Sequence, residues 1–182
     1  MKYGNATLGQ IEAVWNKLGG EEGVKRFLSG ELVLQPKAIS LEIFRVIIYD
    51  LSVEELIEAG KYEWKDPDIN SRKFPSNHRT EEATIKIELW HFSKAISSKN
   101  AIKAIAEKGR RPANLKELLS LGAKFPDEQK KSPIVALGSV VRDFGDRQRV
   151  ACLRRDGNAR TLTLNSIGGE WYDFCRFAAV CE

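Results

Sequence analysis

The sequence predicts a mixed α+β chain, with a small, mainly helical module at the N-terminus followed by a strand-rich region. Three observations predict it. Short amphipathic helices with cap residues occupy much of the first sixty positions. A polar stretch with no period, residues 61–80, then holds Pro67, Pro75, Asn70 and Asn77. Beyond it the order is strand, helix, helix and several short strands, the last of them apolar and at the C-terminal end. We therefore expect a boundary inside the polar stretch, giving an N-terminal helical module with its linker at 1–80 and a strand-rich domain at 81–182.

The elements follow in order. Thr7 can cap a helix in which Gln10 completes a capping box and Leu8, Ile11, Val14, Trp15 and Leu18 share a face. Gly19 and Gly20 end it. Glu21 and Glu22 suit the positive start of a second helix carrying Val24, Phe27 and Leu28, which Gly30 stops. The apolar stripe of this hairpin requires a cover. The β-branched and aromatic run 43–49 reads as a strand after a turn at Pro36. Ser52 and Glu55 form another capping box, for a helix that Gly60 is expected to terminate. Residues 84–92 (TIKIELWHF) alternate, with Ile85, Ile87 and Leu89 on one face. Ser97 or Ser98 opens a helix with Ala101, Ile102 and Ile105, and Asn114 opens another with Leu115, Leu118 and Leu119, running out at Phe125 and Pro126. Four strand-like runs follow, around Ile134, Arg149, Thr161 and Arg176. Turns at Asp156, Gly157 and Asn158, and at Gly168 and Gly169, separate them.

With 42% hydrophobic and 30% charged residues the chain has the composition of a folded globular protein. No apolar run is long enough to span a bilayer, and residues 1–10 lack the apolar core of a signal peptide, so membrane insertion is not expected and a cytoplasmic location is. Cys152, Cys175 and Cys181 are odd in number and make no CxxC pair, which favours buried thiols. The formal charge of +4 comes from the C-terminal half, and most of the excess falls between Lys130 and Arg160. That stretch is either a solvated basic face or a nucleic-acid-binding or regulatory module, with only Phe144 for stacking.

Enzymatic readings fare badly. None of the nucleophile-elbow, zinc-protease, phosphate-loop or dinucleotide motifs is present, so we expect no enzyme, no cofactor and no metal. His91, between Trp90 and Phe92, reads as a structural histidine. Glu54 with Glu55 and Glu81 with Glu82 read as helix-start or solvated charges.

Two segments carry a family resemblance. Residues 110–119 (RRPANLKELL) look like the second helix of a C-type lectin-like domain, and 169–180 (GEWYDFCRFAAV) look like its closing strand. The arrangement of Trp171, a short stretch 172–175, then Arg176, Phe177 and Ala178 resembles the end of bacterial variable proteins diversified by diversity-generating retroelements. The pattern 133–180, which opens with PIVALG, and residues 4–24 resemble proteins of candidate-phylum bacteria in which such elements are frequent. The resemblance implies a C-type lectin-like fold in the C-terminal domain, with its last strand beside its first. It also implies a hypervariable ligand-binding surface, taking proteins or other macromolecules. The calcium-dependent sugar-binding triplets of the wider lectin family are absent, which implies calcium-independent binding.

The residues themselves divide along the same line. A surface for many ligands needs a rigid frame and adaptable side chains. Leu153, Leu162, Leu164, Trp171, Phe177 and Val180 can supply the buried frame. Arg155, Asn158, Thr161, Thr163, Asn165, Ser166, Ile167, Tyr172, Asp173 and Phe174 are the exposed candidates, with Thr161, Thr163 and Asn165 opposite Leu162 and Leu164 by strand alternation. Arg176, between apolar neighbours, reads as a structural cation.

Overall fold

A computed structural model describes residues 7–32, 38–48, 50–75 and 83–181 of the chain. Pro36, Tyr49, Asn77, His78, Glu81 and Glu82 lie outside the described residues. The chain divides into two compact units, Met1–Pro36 and Lys37–Glu182.

The first unit is a helical hairpin of α1 (Leu8–Leu18) and α2 (Gly20–Leu28). Thr7 and Gln10 form the capping box that the sequence predicts, and Gly19 takes the left-handed conformation that closes α1. Leu8, Val14 and Leu28 are largely exposed, and no side chain of α1 is buried.

The second unit is mixed α+β. Its main sheet runs in the order β1 (Ala38–Ile48), β3 (Ala83–Phe92), β10 (Arg176–Cys181), β6 (Ile134–Arg142), β7 (Gln148–Asp156), β8 (Ala159–Ser166) and β2 (Trp64–Lys65), with β5 (Arg110–Pro112) pairing β10 off this path. A two-stranded sheet joins β4 (Ile96–Ser97) to β9 (Glu170–Trp171). The final strand lies between β3, antiparallel, and β6, parallel.

Both faces of the sheet are covered, and strand alternation assigns the residues. On one face Ile87, Leu89, Ile134, Leu153, Leu162 and Leu164 pack against Val53, Leu56 and Ile57 of α3 (Val53–Gly60). Leu115, Leu118 and Leu119 of α5 (Leu115–Lys124) complete that core. On the other face Trp90, Phe92, Val135, Cys152 and Phe177 pack against Ala101 and Ile105 of α4 (Ser98–Ala106) and against Trp171. Short α6 (Glu128–Lys131) precedes β6.

The division point differs from the expected boundary inside 61–80. Strand β1, expected in the N-terminal module, pairs with β3 along most of its length. The polar stretch does not behave as a linker: Trp64 and Lys65 extend the sheet beside β8, and Ile69 and Phe74 are buried in the first core. Few apolar residues in a polar run suffice when each is placed on a sheet edge or in a core.

Gly60 also has a different role from the one the sequence predicts. It ends α3, but the left-handed residue that stops the helix is Lys61. What Gly60 and Gly122 share is the Tyr62 ring, which a Cβ at either position would overlap. The two glycines thus let an aromatic ring sit between α3 and α5, and its hydroxyl is buried without a hydrogen-bond partner.

Two ion pairs with buried carboxylates tie the elements together, one joining strand to helix and one joining strand to strand. Arg176 donates from Nη1 to Glu128 at 3.0 Å and to Glu42 at 3.2 Å, joining β10 to α6 and β1. Glu88 accepts from Arg110 at 3.1 Å and from the Trp90 indole at 3.0 Å. Burial pushes each carboxyl upward, but for Glu88 the hydrogen bonds from Arg110, Cys181 and Trp90 outweigh it, and for Glu128 those from Lys131 and Arg176 do. Both pKa values therefore lie below the usual carboxylate range.

Two tests follow from this packing. A Gly122→Ala variant should lose about 1–3 kcal/mol from overpacking, measured by urea unfolding. Because the Tyr62 hydroxyl is what its methyl meets first, adding Tyr62→Phe should recover part of the loss; strict additivity of the two changes would contradict the contact. A carboxyl whose folded pKa is depressed contributes stability that is complete above its unfolded value of about 4.3 and is lost as pH falls through the folded value. The urea midpoint should thus decline below about pH 5, and Glu88→Gln or Glu128→Gln should lower it at pH 7 while flattening that decline.

Candidate recognition face

The site is built on the β7–β8 hairpin and on the turn between β9 and β10. The hairpin register sets Val150 opposite Asn165, Cys152 opposite Thr163 and Arg154 opposite Thr161. These six residues alternate onto the face that carries the second core, whereas Leu153, Leu162 and Leu164 face the first. Thr163 donates to Asn165 Oδ1 at 2.8 Å, so the two half-buried polar side chains of this face hold each other in place.

The turn is anchored from below. The Trp171 indole donates to Ser98 Oγ at 2.7 Å, and that hydroxyl donates in turn to the Ile167 carbonyl at 2.9 Å. One serine at the start of α4 therefore ties both arms of the segment 167–171. Trp171 also packs edge-on against Phe177, with ring centroids 6.1 Å apart. Past Trp171 the chain turns outward: Cys175 N–H donates to the Tyr172 carbonyl at 3.0 Å, and Ser132 Oγ donates to the Phe174 carbonyl. Tyr172 and Phe174 are exposed and stack on each other with centroids 5.4 Å apart and planes 12° apart. Asp173 is exposed between them.

Trp171, Phe177, Leu153, Leu162, Leu164 and Val180 are all buried, so the proposed frame residues form a frame. Arg176 is buried in its ion pairs, in keeping with a structural cation. Of the exposed candidates, Tyr172, Asp173, Phe174 and Ser166 lie open at the surface, and Thr163 and Asn165 are half-buried on the same sheet face as Trp171. Asn158 is exposed in the hairpin turn. Arg155 is exposed but alternates onto the opposite face, with Arg160 as its cross-strand partner.

Two candidates need correction. Thr161 is 5% exposed, and its hydroxyl donates to the Arg154 carbonyl at 3.2 Å; β2, pairing beside it, covers what alternation alone leaves open. Ile167 is half-buried against the second core, as an isoleucine beside Trp171 should be.

Sequence reasoning missed two residues on this face. Arg154 entered only as part of the basic stretch, yet it shares the face of Cys152 and Thr163. Trp64 lay in the presumed linker, yet it pairs with Thr161 and is half exposed. No local signal distinguishes Trp64, because its position depends on a pairing almost a hundred residues away.

Burial holds all three thiols, Cys181 included, above the ordinary thiol value, with Cys152 pushed up to about 12. Within the basic stretch, the structure pairs Lys130 with Asp127, Lys131 with Glu128, Arg142 with Asp146, and both Arg147 and Arg149 with Asp143. Among the described residues, Arg154 and Arg155 take part in no ion pair. No helix among the described residues is long and apolar enough to cross a membrane.

A Ser98→Ala variant leaves the buried Trp171 N–H without its acceptor and the Ile167 carbonyl without its donor, a cost of about 1–3 kcal/mol. Amide hydrogen exchange should accelerate at 167–171 more than in β3 and β10; uniform acceleration would mean that Ser98 serves global stability alone. No protein-family model, curated protein or solved structure matches this chain.

Proposed function

We propose that the chain is a ligand-binding protein, not an enzyme, whose C-terminal surface recognises macromolecules, chiefly proteins, and is diversified by a retroelement on a C-type lectin-like frame. The observation that carries this reading is the division of roles within 171–177. Trp171, Cys175 and Phe177 are buried, while Tyr172 and Phe174 between them stand exposed and stacked. Two solvent-facing aromatics on a turn fixed at both ends have the composition and rigidity of a paratope: large contact area with little ordering entropy to lose on binding.

The lectin-like assignment is supported by the path of β10, which returns beside β3, the strand that precedes α4 and α5. The diversification reading is supported by the residues of the resemblance, with Trp171 as fixed anchor and 172–174 outside the core. Nothing in this binding mode calls for calcium.

The test is genomic. The DNA encoding residues 150–182 should have a near-copy close by, differing mainly at adenines, next to a reverse-transcriptase gene. If the neighbourhood holds neither, the diversification reading falls.

A further inference from the structure

The ladder registers place one row of residues across the paths of five neighbouring strands, β10, β6, β7, β8 and β2. Thr161 pairs with Arg154 in β7 and with Trp64 in β2. On the other side, Leu153 pairs with Ile134 and Ile134 with Arg176, so one residue further along the row runs from Arg154 through Pro133 to Cys175. The Arg176 N–H donates to the Pro133 carbonyl at 2.9 Å, which holds that end of the row together. At about 4.8 Å per strand, the row from Cys175 to Trp64 spans about 19 Å.

Its exposed members share one face. Paired residues in a parallel ladder project to the same side, so Trp64 stands with Thr161 and Arg154 on the face of the second core. Lys65, the next residue, falls on the α3 side, where its charge acts on Glu54. Thr161 is buried, so the exposed side chains of the row are Arg154 and Trp64, and the exposed aromatics Tyr172 and Phe174 belong to the turn that ends at Cys175. Arg154 and Asp173 act in opposite senses on the Cys175 thiol, and among the described residues neither belongs to an ion pair. The other cations of the stretch 130–160 are paired with the protein's own carboxylates, are buried, or, like Arg155, lie on the far face. One uncommitted guanidinium between aromatic groups is too little for a phosphate backbone, which takes several cations. It suits one carboxylate flanked by apolar groups.

We infer that the recognition face extends along this row to the sheet edge, with Arg154 and Trp64 as contacts additional to 172–174, and that it takes a protein segment bearing an Asp or Glu between apolar side chains. The inference rests on the proposed binding function of 172–174. Tyr, Trp and Arg are the residue types that most often dominate interface energies, and here they come from three separate strands and turns.

Selection of a phage-displayed random-peptide library against the full chain tests it. Enriched peptides should contain an acidic residue with apolar neighbours. Trp64→Ala and Arg154→Ala should each weaken their binding by about tenfold or more, with melting temperature unchanged. Selection against Arg154→Glu should enrich Lys or Arg in place of Asp or Glu. Peptides that depend on Tyr172 and Phe174 but tolerate changes at Arg154 and Trp64 would overturn this inference while leaving the binding reading intact. Peptides indifferent to Tyr172 and Phe174, or no enrichment at all, would overturn both.

Discussion

The guanidinium of Arg160 is the interaction on which the arrangement of the second unit turns. The residue is 8% exposed, and among the described residues no carboxylate is bonded to its guanidinium. It donates instead to the Gly60 carbonyl at the end of α3, to the Gly122 carbonyl in the last turn of α5 at 2.7 Å and to Gln129 at 3.0 Å. Carbonyls in a last helical turn lack an intrahelical donor and carry the negative end of the helix dipole, so two helix ends together stand in for a counter-ion. The Tyr62 ring lies 4.9 Å below and contributes its π face. A buried cation is costly unless it is well compensated, and this one is compensated only if α3, α5 and α6 converge on β8. The same cradle explains why Gly60 and Gly122 are glycines: a side chain at either place would push Tyr62 out of its slot.

From Arg160 the constraint passes to the β7–β8 hairpin. Gln129 accepts from Arg160 with its carbonyl oxygen, and its amide donates to the Arg154 carbonyl at 2.6 Å and to the Thr161 carbonyl at 3.2 Å. Arg154 and Thr161 thus have their backbone held by the helical layer on one side of the sheet while the Arg154 side chain projects from the other. On that other side Ser98 performs the equivalent service for the segment leading to Tyr172. A contact surface gains from such support because groups already ordered before binding lose less entropy when they bind.

How much of this could be read from the chain alone depends on whether the signal is local. The caps at Thr7, Ser52 and Asn114 were legible, the first two as capping boxes, because both partners are within one turn; the structure adds the box at Asn114 and Glu117. The alternation of 84–92 and the burial of Trp171 were equally legible. Arg176, flanked by apolar residues in a closing strand, declared itself as a structural cation, although its partners Glu42 and Glu128 did not. The failures share one cause. Alternation tells which residues of a strand share a face but not what covers that face. Thr161 is buried because β2 arrives beside it, and Trp64 and Ile69 take part in the fold because of pairings across a large stretch of chain. A polar composition at 61–75 conceals a sheet edge and two core residues.

The position of the exposed turn has a further consequence under the proposed function. The bonds that fix 172–174 all use main-chain atoms of the turn: the Tyr172 carbonyl accepts from the Cys175 N–H, and the Phe174 carbonyl accepts from Ser132. Any side chain can occupy these places without removing the bonds that shape the turn, and exposed substitutions of this kind usually change stability little. Thr163 and Asn165 are different, since each is half-buried and holds the other through a side-chain bond. Changing one strands its partner, and an unpaired polar group in a half-buried setting costs free energy. Tolerance to variation should therefore grade from the turn inward to the strand. Diversity is cheapest where the backbone alone makes the structure, and on this face that place is the turn between Trp171 and Cys175.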